Sequence, residues 1–209
     1  MNNTIYINVV IEDELSLIVL RKILNESQRS YSICNVLGRQ GCSYIDKHIH
    51  GFNNASKGIP FVIVRDLDYC ECPPYLINTI LAFPKHQNLI FRIAVREIEA
   101  WLLADKKSFS SYFSINKSLI PHNVEEIDNP KEFIIKLAKK SRKRNIRDDV
   151  LPRKGAKQGP GYNACLGYYV INHWDVYTAL HNSDSLHRTF DVLNNFSPLN
   201  DITASFSHP

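Results

Sequence analysis

The sequence lacks any apolar run long enough to cross a membrane. A membrane-spanning helix needs roughly 20 consecutive apolar residues, and no stretch of this 209-residue chain approaches that length. The opening MNNTIYINVV also lacks the basic segment that precedes the apolar part of a secretory signal. With 44% hydrophobic residues, the chain still has enough apolar surface for a core of ordinary size. We therefore expect a soluble, cytoplasmic globular protein.

Cysteine is scarce, and its spacing argues against the usual cysteine-based frameworks. The five cysteines are an odd number scattered through apolar segments, which is typical of reduced, buried thiols and not of a disulfide scaffold. Cys70 and Cys72 form the only close pair in the sequence, with one residue between them and no second pair later in the chain. Structural zinc sites use wider spacings and more ligands, so we expect no zinc site here.

Strands and helices alternate four times in the first half of the chain. Runs rich in β-branched residues predict strands, and amphipathic segments between them predict helices. The four strand-like runs are TIYINVVI, SYSICNVLG, IPFVIVRDLD and NLIFRIAVR. This rhythm predicts an α/β fold with a Rossmann-like core, in which a mainly parallel sheet of about four strands is flanked by helices. We expect this core in residues 1–115, a helical C-terminal extension packed on it in residues 116–209 as one structural unit, and a loose tail at ITASFSHP.

Acidic residues follow three of the predicted strands. Glu12 follows INVVI, Asp66 and Asp68 follow FVIVR, and Glu97 and Glu99 follow FRIAV. In parallel α/β sheets, ligands bind outside the carboxyl ends of the strands. We therefore expect these acidic side chains to converge at one edge of the sheet. The alternative for any single acid is a helix N-cap or first-turn position, which would also suit Asp68 and Glu12.

Converging carboxylates require a cation. Asp66 and Asp68 are two residues apart, so on an extended segment they point to the same side. Two charges about 5 Å apart in an effective dielectric of about 20 repel each other by roughly 3 kcal/mol. Oxygen-only ligands are those that Mg²⁺ prefers, with Mn²⁺ as a plausible substitute. The sequence therefore predicts a Mg²⁺ site at Glu12, Asp66 and Asp68.

The net charge of +4 conceals a strongly basic segment. Between Lys136 and Lys157, ten basic residues stand against two acidic ones, so this segment carries +8 and the remainder of the chain −4. A solvated charged surface is the ordinary interpretation of such a run, and phosphate binding beside an acidic metal site is the functional one. The candidate nucleic-acid and phosphate-binding residues are Arg142, Lys143, Arg144, Arg153, Lys154, Lys157, His187 and Arg188.

Several of these motifs resemble a known family. The strand IYINVVIE, which ends in a glutamate, and the strand FVIVRDLD, which ends in Asp-x-Asp, resemble the two signature motifs of the Toprim domain. That domain is shared by topoisomerases, bacterial primases and nucleases of the overcoming-lysogenization-defect type. More closely, VVIEDEL, DLDYC, REIEAWLLAD, DNPK, GPGYN and SDSLHR resemble a Toprim-like bacterial family known as a domain of unknown function. The resemblance extends from about residue 4 to residue 195.

The resemblance implies specific roles for the acidic residues. Glu12 would act as a general acid or base or as an additional metal ligand, and Asp66 with Asp68 would hold Mg²⁺. Many Toprim domains have glycine after the glutamate, whereas this chain has Asp13. A phosphate would therefore approach the backbone less closely at this turn than in those domains.

The motif EIEAWLLAD supplies one further acid. The resemblance marks Glu99 as the acid that completes the catalytic and metal-binding group, with Glu97 as the alternative. We expect one helix over EIEAWLLADKKSFSSYF, on which the two side chains would point roughly 200° apart. Trp101 in the same motif is expected to pack against the sheet and not to bind a base.

The reaction class expected from the resemblance is phosphodiester hydrolysis of DNA or RNA by a Mg²⁺-dependent nuclease. A chain of 209 residues leaves no room for the additional domains of a topoisomerase or primase. Related Toprim proteins work with a separately encoded ABC-type ATPase in defence against phage, and this sequence has no P-loop of its own. The alternatives are a non-catalytic Toprim-fold module that regulates or binds, and a phosphohydrolase acting on small molecules.

Overall fold

A four-stranded, all-parallel sheet forms the centre of the protein. The computed structural model describes residues 4–199. The strands are β1 (Ile5–Ile11), β2 (Tyr31–Gly38), β3 (Phe61–Asp66) and β4 (Leu89–Ala94). Their order in the sheet is β2-β1-β3-β4, and each neighbouring pair is parallel. The predicted α/β class, with a mainly parallel sheet of about four strands, is therefore confirmed.

Helices connect the strands and then continue as the C-terminal extension. The helices of the first half are α1 (Glu14–Glu26), α2 (Cys42–Ala55), α3 (Pro73–Ile80), α4 (Ile98–Ala104) and α5 (Lys106–Phe113). Two short 3₁₀ turns follow, at Lys117–Leu119 and Val124–Glu126. The extension contains α6 (Pro130–Lys139), α7 (Arg144–Val150), α8 (Tyr162–Asn172), α9 (Val176–Leu180) and α10 (Asp184–Asn195). Within residues 4–199, no helix is long and apolar enough to cross a membrane.

One predicted helix is divided in two. The segment EIEAWLLADKKSFSSYF forms α4 and α5, which meet at Asp105. The backbone of Asp105 is not helical, with φ −84° and ψ 71°, and its carboxylate accepts a hydrogen bond from Ser108 N at 3.1 Å. An aspartate that caps a new helix in this way interrupts the old one. The expected single helix was therefore wrong. The expected tail at ITASFSHP lies outside the described residues.

The sheet has two hydrophobic cores because strand side chains alternate between its faces. Ile7, Val9 and Ile11 enter the larger core, which also contains α1 and most of the C-terminal extension. Val10 and its neighbours on the other face pack against α2 and α3. Tyr162 of the extension is fully buried in the same core as Ile11. The C-terminal helices therefore complete the main core of the α/β part.

The strand order creates a crevice between β1 and β3. From β1 the chain passes through α1 to β2 on one side, and from β2 it passes through α2 to β3 on the other. Ligands bind at such topological switch points in parallel sheets. Two backbone hydrogen bonds join the end of β1 to the segment that follows β2. Arg39 N donates to Ile11 O at 2.8 Å, and Gly41 N donates to Glu12 O at 3.1 Å. The fold thus places Glu12 at the crevice.

The end of β2 is expected to tolerate no side chain at Gly38. This glycine has φ +93°, and a Cβ on it would lie 2.2 Å from Ile11 O, beside Glu12. We predict that Gly38→Ala destabilises the protein by about 2 kcal/mol or more, because it combines a left-handed backbone with a backbone clash. Urea unfolding followed by circular dichroism measures this change.

The matched control is Gly51→Ala. Gly51 lies on the exposed side of α2, and a Cβ there meets nothing within 4 Å. Alanine is the better helix former, so this variant should be stabilised by about 0.5 to 1 kcal/mol. Equal unfolding midpoints for the two variants would contradict the role assigned to the close approach of β2 and β1.

Candidate functional site

Glu12 and Asp66 meet at the crevice. Glu12 Oε1 accepts a hydrogen bond from Asp66 N at 2.8 Å. Asp66 Oδ1 in turn accepts from Ile98 N, the first residue of α4, at 2.9 Å. The end of β1, the end of β3 and the helix that follows β4 are therefore linked through two carboxylates. Each carboxylate keeps its second oxygen for other partners.

Asp68 is oriented differently from a residue on a regular strand. Strand β3 ends at Asp66, and Asp68 has φ +53°, in the left-handed region. Its carboxylate lies 3.6 Å from Arg65 Nη1, and its side chain is 39% exposed. Its backbone N–H donates to Arg96 O at 2.8 Å, which ties this turn to the segment after β4. We expected the side chains of Asp66 and Asp68 to point to the same side, as on an extended segment. The segment is not extended at Asp68, so this expectation does not hold.

Arg65 contributes a positive charge that the sequence analysis missed. Its guanidinium forms two hydrogen bonds to the carboxylate of Asp46 on α2, at 2.9 and 3.0 Å. The same group lies next to Asp68. A buried arginine in the apolar run FVIVRD needs an acidic partner, and that rule was the signal available in the sequence. Arg65 therefore links α2 to β3 next to the turn that contains Asp68.

Glu99 is fully buried next to this acidic group. Its side chain has 0% exposure, and Tyr162 donates its hydroxyl hydrogen bond to Glu99 Oε1 at 3.1 Å. Glu99 Oε2 is also buried and has no hydrogen-bond partner. Two residues along the helix, Trp101 is fully buried and donates its indole N–H to Ser185 Oγ at 2.7 Å, so it packs as expected. Glu99 is thus the acid of EIEAWLLAD that the core encloses.

Lys131 brings a cation into the acidic group. Its Nζ lies 3.4 Å from Glu99 Oε1, and its backbone N–H donates to Glu97 Oε2 at 2.7 Å. Burial acts to lower the pKa of Lys131, but the carboxylates of Glu99, Asp13 and Glu97 raise it overall. Lys131 belongs to the DNPK block of the sequence. Its contacts with Glu97 and Glu99 join this block to the EIEAWLLAD block, and nothing in the sequence indicated that the two blocks are neighbours. Glu97 and Glu99 both face this lysine and do not point to opposite sides.

Burial and mutual repulsion shift the carboxyl groups toward their protonated forms. Burial, together with the charge of Asp68, raises the pKa of Glu12 to about 7, although the hydrogen bond from Asp66 N opposes the shift. Burial also raises the pKa of Asp66 well above its ordinary value, and the charges of Glu12 and Glu99 add to this. The pKa of Glu99 is raised to about 7 by burial despite the nearby Lys131. Each of these carboxyl groups therefore holds its proton to a higher pH than an exposed one does.

The donor set suits a hard divalent cation, although its oxygens are not gathered around one point. Among residues 4–199, no three Asp, Glu, His or Cys side chains form a ready-made metal site. Glu99 Oε2 is buried without a hydrogen-bond partner, and burial is the main cause of the raised pKa values of Glu12 and Asp66. Carboxylate oxygens are the ligands that Mg²⁺ prefers. The described residues thus offer carboxylate oxygens but no assembled metal site, and Mg²⁺ binding stays a prediction.

The predicted basic residues fall into three separate places. Arg142 and Lys143 lie in the turn between α6 and α7, and Arg144 is the first residue of α7. Lys143 Nζ donates to Tyr112 O at 2.8 Å, and Arg144 forms an ion pair with Asp148 at 3.4 Å within α7. Two of the three side chains thus have intramolecular partners at the surface, and the Arg144 side chain is 87% exposed.

A second basic group lies in the loop between α7 and α8. Arg153, Lys154 and Lys157 are exposed there, and the loop leads directly into Tyr162, which contacts Glu99. A Cβ on Gly159 would lie 2.1 Å from Asp149 O, so the end of the loop packs closely against α7. The GPGYN block therefore holds Tyr162 in place, while the basic residues before it face solvent.

The third basic pair lies on α10. His187 is 3.3 Å from Asp191, and Arg188 is 2.8 Å from Asp184, so both side chains pair within their own helix. Ser183 caps this helix by accepting from Leu186 N at 3.3 Å. Arg188 also lines a groove of about 640 Å³ between α3 and α10. These residues therefore belong to the outer edge of the sheet beyond β4.

Comparisons with known proteins give no family to which the chain can be assigned. No protein-family model, no curated protein and no solved structure matches it. The features that bear on function are therefore the fold, the hydrogen bond between Glu12 and the backbone of Asp66, and the buried carboxylate of Glu99.

Proposed function

We propose that the protein is a Mg²⁺-dependent nuclease of the Toprim type that hydrolyses phosphodiester bonds in DNA or RNA. Its catalytic and metal-binding residues would be Glu12, Asp66, Asp68 and Glu99. The observation that carries the proposal is the link from Glu12 to Asp66 N at the switch point of the sheet, beside a buried Glu99 oxygen without a partner. Burying several carboxylates together costs folding free energy unless a cation neutralises them.

Each residue has a distinct part in this proposal. Asp66 and Asp68 would hold the ion through their carboxylate oxygens, and Glu99 would be a further ligand. A bound Mg²⁺ supplies stabilisation of the negative charge that develops on the reacting phosphate. Glu12 is suited to accept a proton from water because its pKa of about 7 matches neutral conditions. The hydrogen bond from Asp66 N fixes the orientation of that carboxylate.

The exposed basic loop supports nucleic acid as the substrate. A polyanion is repelled by the acidic group, so positive charge is required along its approach. Arg153, Lys154 and Lys157 provide this charge in the loop that ends at Tyr162. The turn at Arg142 is less suited, because its neighbours Lys143 and Arg144 already have partners.

The partner expected from the Toprim resemblance is an ABC-type ATPase that acts in trans, in defence against phage. The chain has no P-loop, so ATP hydrolysis would have to come from another protein. The second candidate function is a Toprim-fold module that binds a partner or ligand without cutting. This candidate is favoured by Lys131, which supplies one positive charge to the acidic group in the absence of any metal.

The stability of the metal-free protein should fall as the pH rises from about 4.5 to 8. Glu12 and Glu99 have pKa values near 7 in the folded protein against an ordinary value of 4.5, so the folded state binds more protons than the unfolded state in this range. The stability that protonated Glu12 and Glu99 contribute is therefore complete below about pH 4.5 and is lost as the pH rises through 7. We expect the free energy of unfolding in EDTA to be lower at pH 8 than at pH 5.5 by about 2 kcal/mol for Glu99 alone.

Urea unfolding at the two pH values measures this difference. The variant Glu99→Gln removes the titrating group and should flatten the profile, and Mn²⁺ at pH 8 should restore stability to the unchanged protein. A wild-type profile as flat as that of Glu99→Gln would contradict the prediction.

Asp66→Asn and Asp68→Asn should abolish cleavage while leaving the fold intact. The asparagine oxygen at position 66 can still accept from Ile98 N, and asparagine tolerates the left-handed backbone at position 68. We expect metal-dependent cleavage to fall by at least about 100-fold, with equal or higher stability in EDTA because repulsion is relieved.

Cleavage of labelled DNA and RNA, together with thermal melting, tests both parts. The matched control is Asp148→Asn on the exposed face of α7, which should cleave like the wild type. Retained cleavage in Asp66→Asn, or loss of its fold, would rule out the proposed site.

The salt dependence of nucleic-acid binding should identify the basic loop as the phosphate contact. Replacing Arg153, Lys154 and Lys157 by glutamine should flatten the plot of log K against log salt by about 0.7 to 0.9 for each lost contact. The matching triple variant at Arg142, Lys143 and Arg144 should change the slope less, because two of those side chains pair internally. Fluorescence anisotropy with a labelled oligonucleotide measures both slopes. If neither triple variant changes the slope of the wild type, both groups are ordinary solvated surface and the prediction is wrong.

A further inference from the structure

Three aromatic rings form a cluster on the surface between α5 and α8. The ring centre of Tyr112 on α5 lies 6.1 Å from that of Tyr168 on α8 and 5.0 Å from that of His173, which follows α8. The Tyr168 and His173 ring centres are 5.7 Å apart, so each ring lies next to the other two. Tyr168 is 56% exposed, and His173 is exposed as well. The cluster therefore presents aromatic surface to solvent.

Within the described residues, no hydrogen bond uses the hydroxyl of Tyr168. The side-chain contact at this residue goes from Asn172 Nδ2 to the backbone O of Tyr168, at 2.9 Å. Tyr112, by contrast, donates its hydroxyl hydrogen bond to Cys165 O at 3.1 Å and so links α5 to α8. Exposed apolar surface that the fold does not use is typical of binding sites. The Tyr168 ring is therefore the part of the cluster that a ligand can contact.

A basic segment adjoins the cluster. Lys143 Nζ lies 5.3 Å from the centre of the Tyr112 ring, within the range of a cation–π contact, and donates to Tyr112 O at 2.8 Å. Lys143 belongs to the segment from Lys136 to Lys157, which carries +8. Proteins bind single-stranded nucleic acid with aromatic rings beside basic side chains, because the bases stack on the rings while the positive charge attracts the phosphates. The charge and the rings of this surface thus match the same ligand.

We propose that this cluster binds unpaired bases of a single-stranded nucleic acid, with Tyr168 as the exposed stacking surface. The inference rests on the proposed function and specifies its substrate as a single strand. Bases stack on aromatic side chains when they are unstacked from one another, as in single strands and not in a duplex. Tyr162, which donates to Glu99, precedes Tyr168 on α8 by six residues, or about 9 Å along the helix axis. The same helix therefore connects the aromatic cluster to the acidic group.

Stacking and phosphate contacts differ in their dependence on salt. Each phosphate contact with a basic side chain adds to the slope of log K against log salt. Removal of the Tyr168 ring changes no charge, so it should weaken binding equally at every salt concentration and leave that slope unchanged. The loss of one base–ring stack lowers affinity by about 5- to 150-fold. Tyr168 can therefore be tested separately from the basic residues.

The experiment compares the wild type with Tyr168→Leu, Tyr168→Phe and Tyr75→Leu. Fluorescence anisotropy in EDTA follows the binding of labelled thymidine and uridine single strands and of a labelled duplex of the same length. Tyr168→Leu should bind single strands about 5- to 150-fold more weakly than the wild type, with the same salt slope and unchanged duplex binding. Tyr168→Phe keeps the ring and should bind like the wild type. Tyr75 on α3 is 58% exposed and lies outside the cluster, so Tyr75→Leu is the matched control and should also bind like the wild type.

Two results would overturn the inference whatever the enzymatic activity. One is single-strand affinity in Tyr168→Leu equal to that of the wild type, and the other is an equal loss of affinity for single strand and duplex. If Tyr168→Leu changes only self-association, measured by analytical ultracentrifugation, the cluster is a contact between copies of the chain and the inference is wrong.

The outcomes also separate this inference from the proposed function. Ring-dependent binding of single strands by a wild type that cleaves none of them with Mg²⁺ or Mn²⁺ would support the inference and contradict the nuclease. Metal-dependent cleavage together with ring-independent binding would support the nuclease and overturn the inference. A wild type that binds no nucleic acid would overturn both.

Discussion

Burial of negative charge at the carboxyl end of the sheet is the constraint on which the arrangement of this protein depends. The hydrogen bond from Asp66 N to Glu12 Oε1 joins two strands there, and α4 approaches through Ile98 N. Each contact neutralises part of a carboxylate with a backbone dipole, which is a weaker partner than a full charge. Arg65 on one side and Lys131 on the other offset part of the remaining charge.

The two balancing cations come from different layers of the fold. Arg65 lies on the face of the sheet that packs against α2, where Asp46 holds it. Lys131 comes from the C-terminal extension, which packs on the opposite face with α1. The acidic residues therefore lie between a fixed cation in the sheet and a second cation on a helix outside it. The C-terminal extension thus contributes both hydrophobic side chains to the larger core and a cation to the acidic residues.

The sequence predicted the sheet and the positions of the acids because both depend on local patterns. The apolar runs around Ile7 and Ile63 identify buried parallel strands, and the ends of such strands must share one edge of the sheet. The conformation of Asp68 could not be predicted, because its left-handed backbone depends on the hydrogen bond to Arg96 O. Nor could the contact between Tyr162 and Glu99, which joins residues 63 positions apart. Such contacts follow from tertiary packing and leave no periodic signal.

The contact between Tyr162 and Glu99 also determines when the acidic group can be completed during synthesis. Glu99 lies on α4, but the hydroxyl that it accepts from and the core that encloses it are supplied by α8. Without α8, the Glu99 carboxylate lacks its Tyr162 partner and part of the core that encloses it. The acidic group is therefore complete only once α8 has been synthesised and has packed against α1.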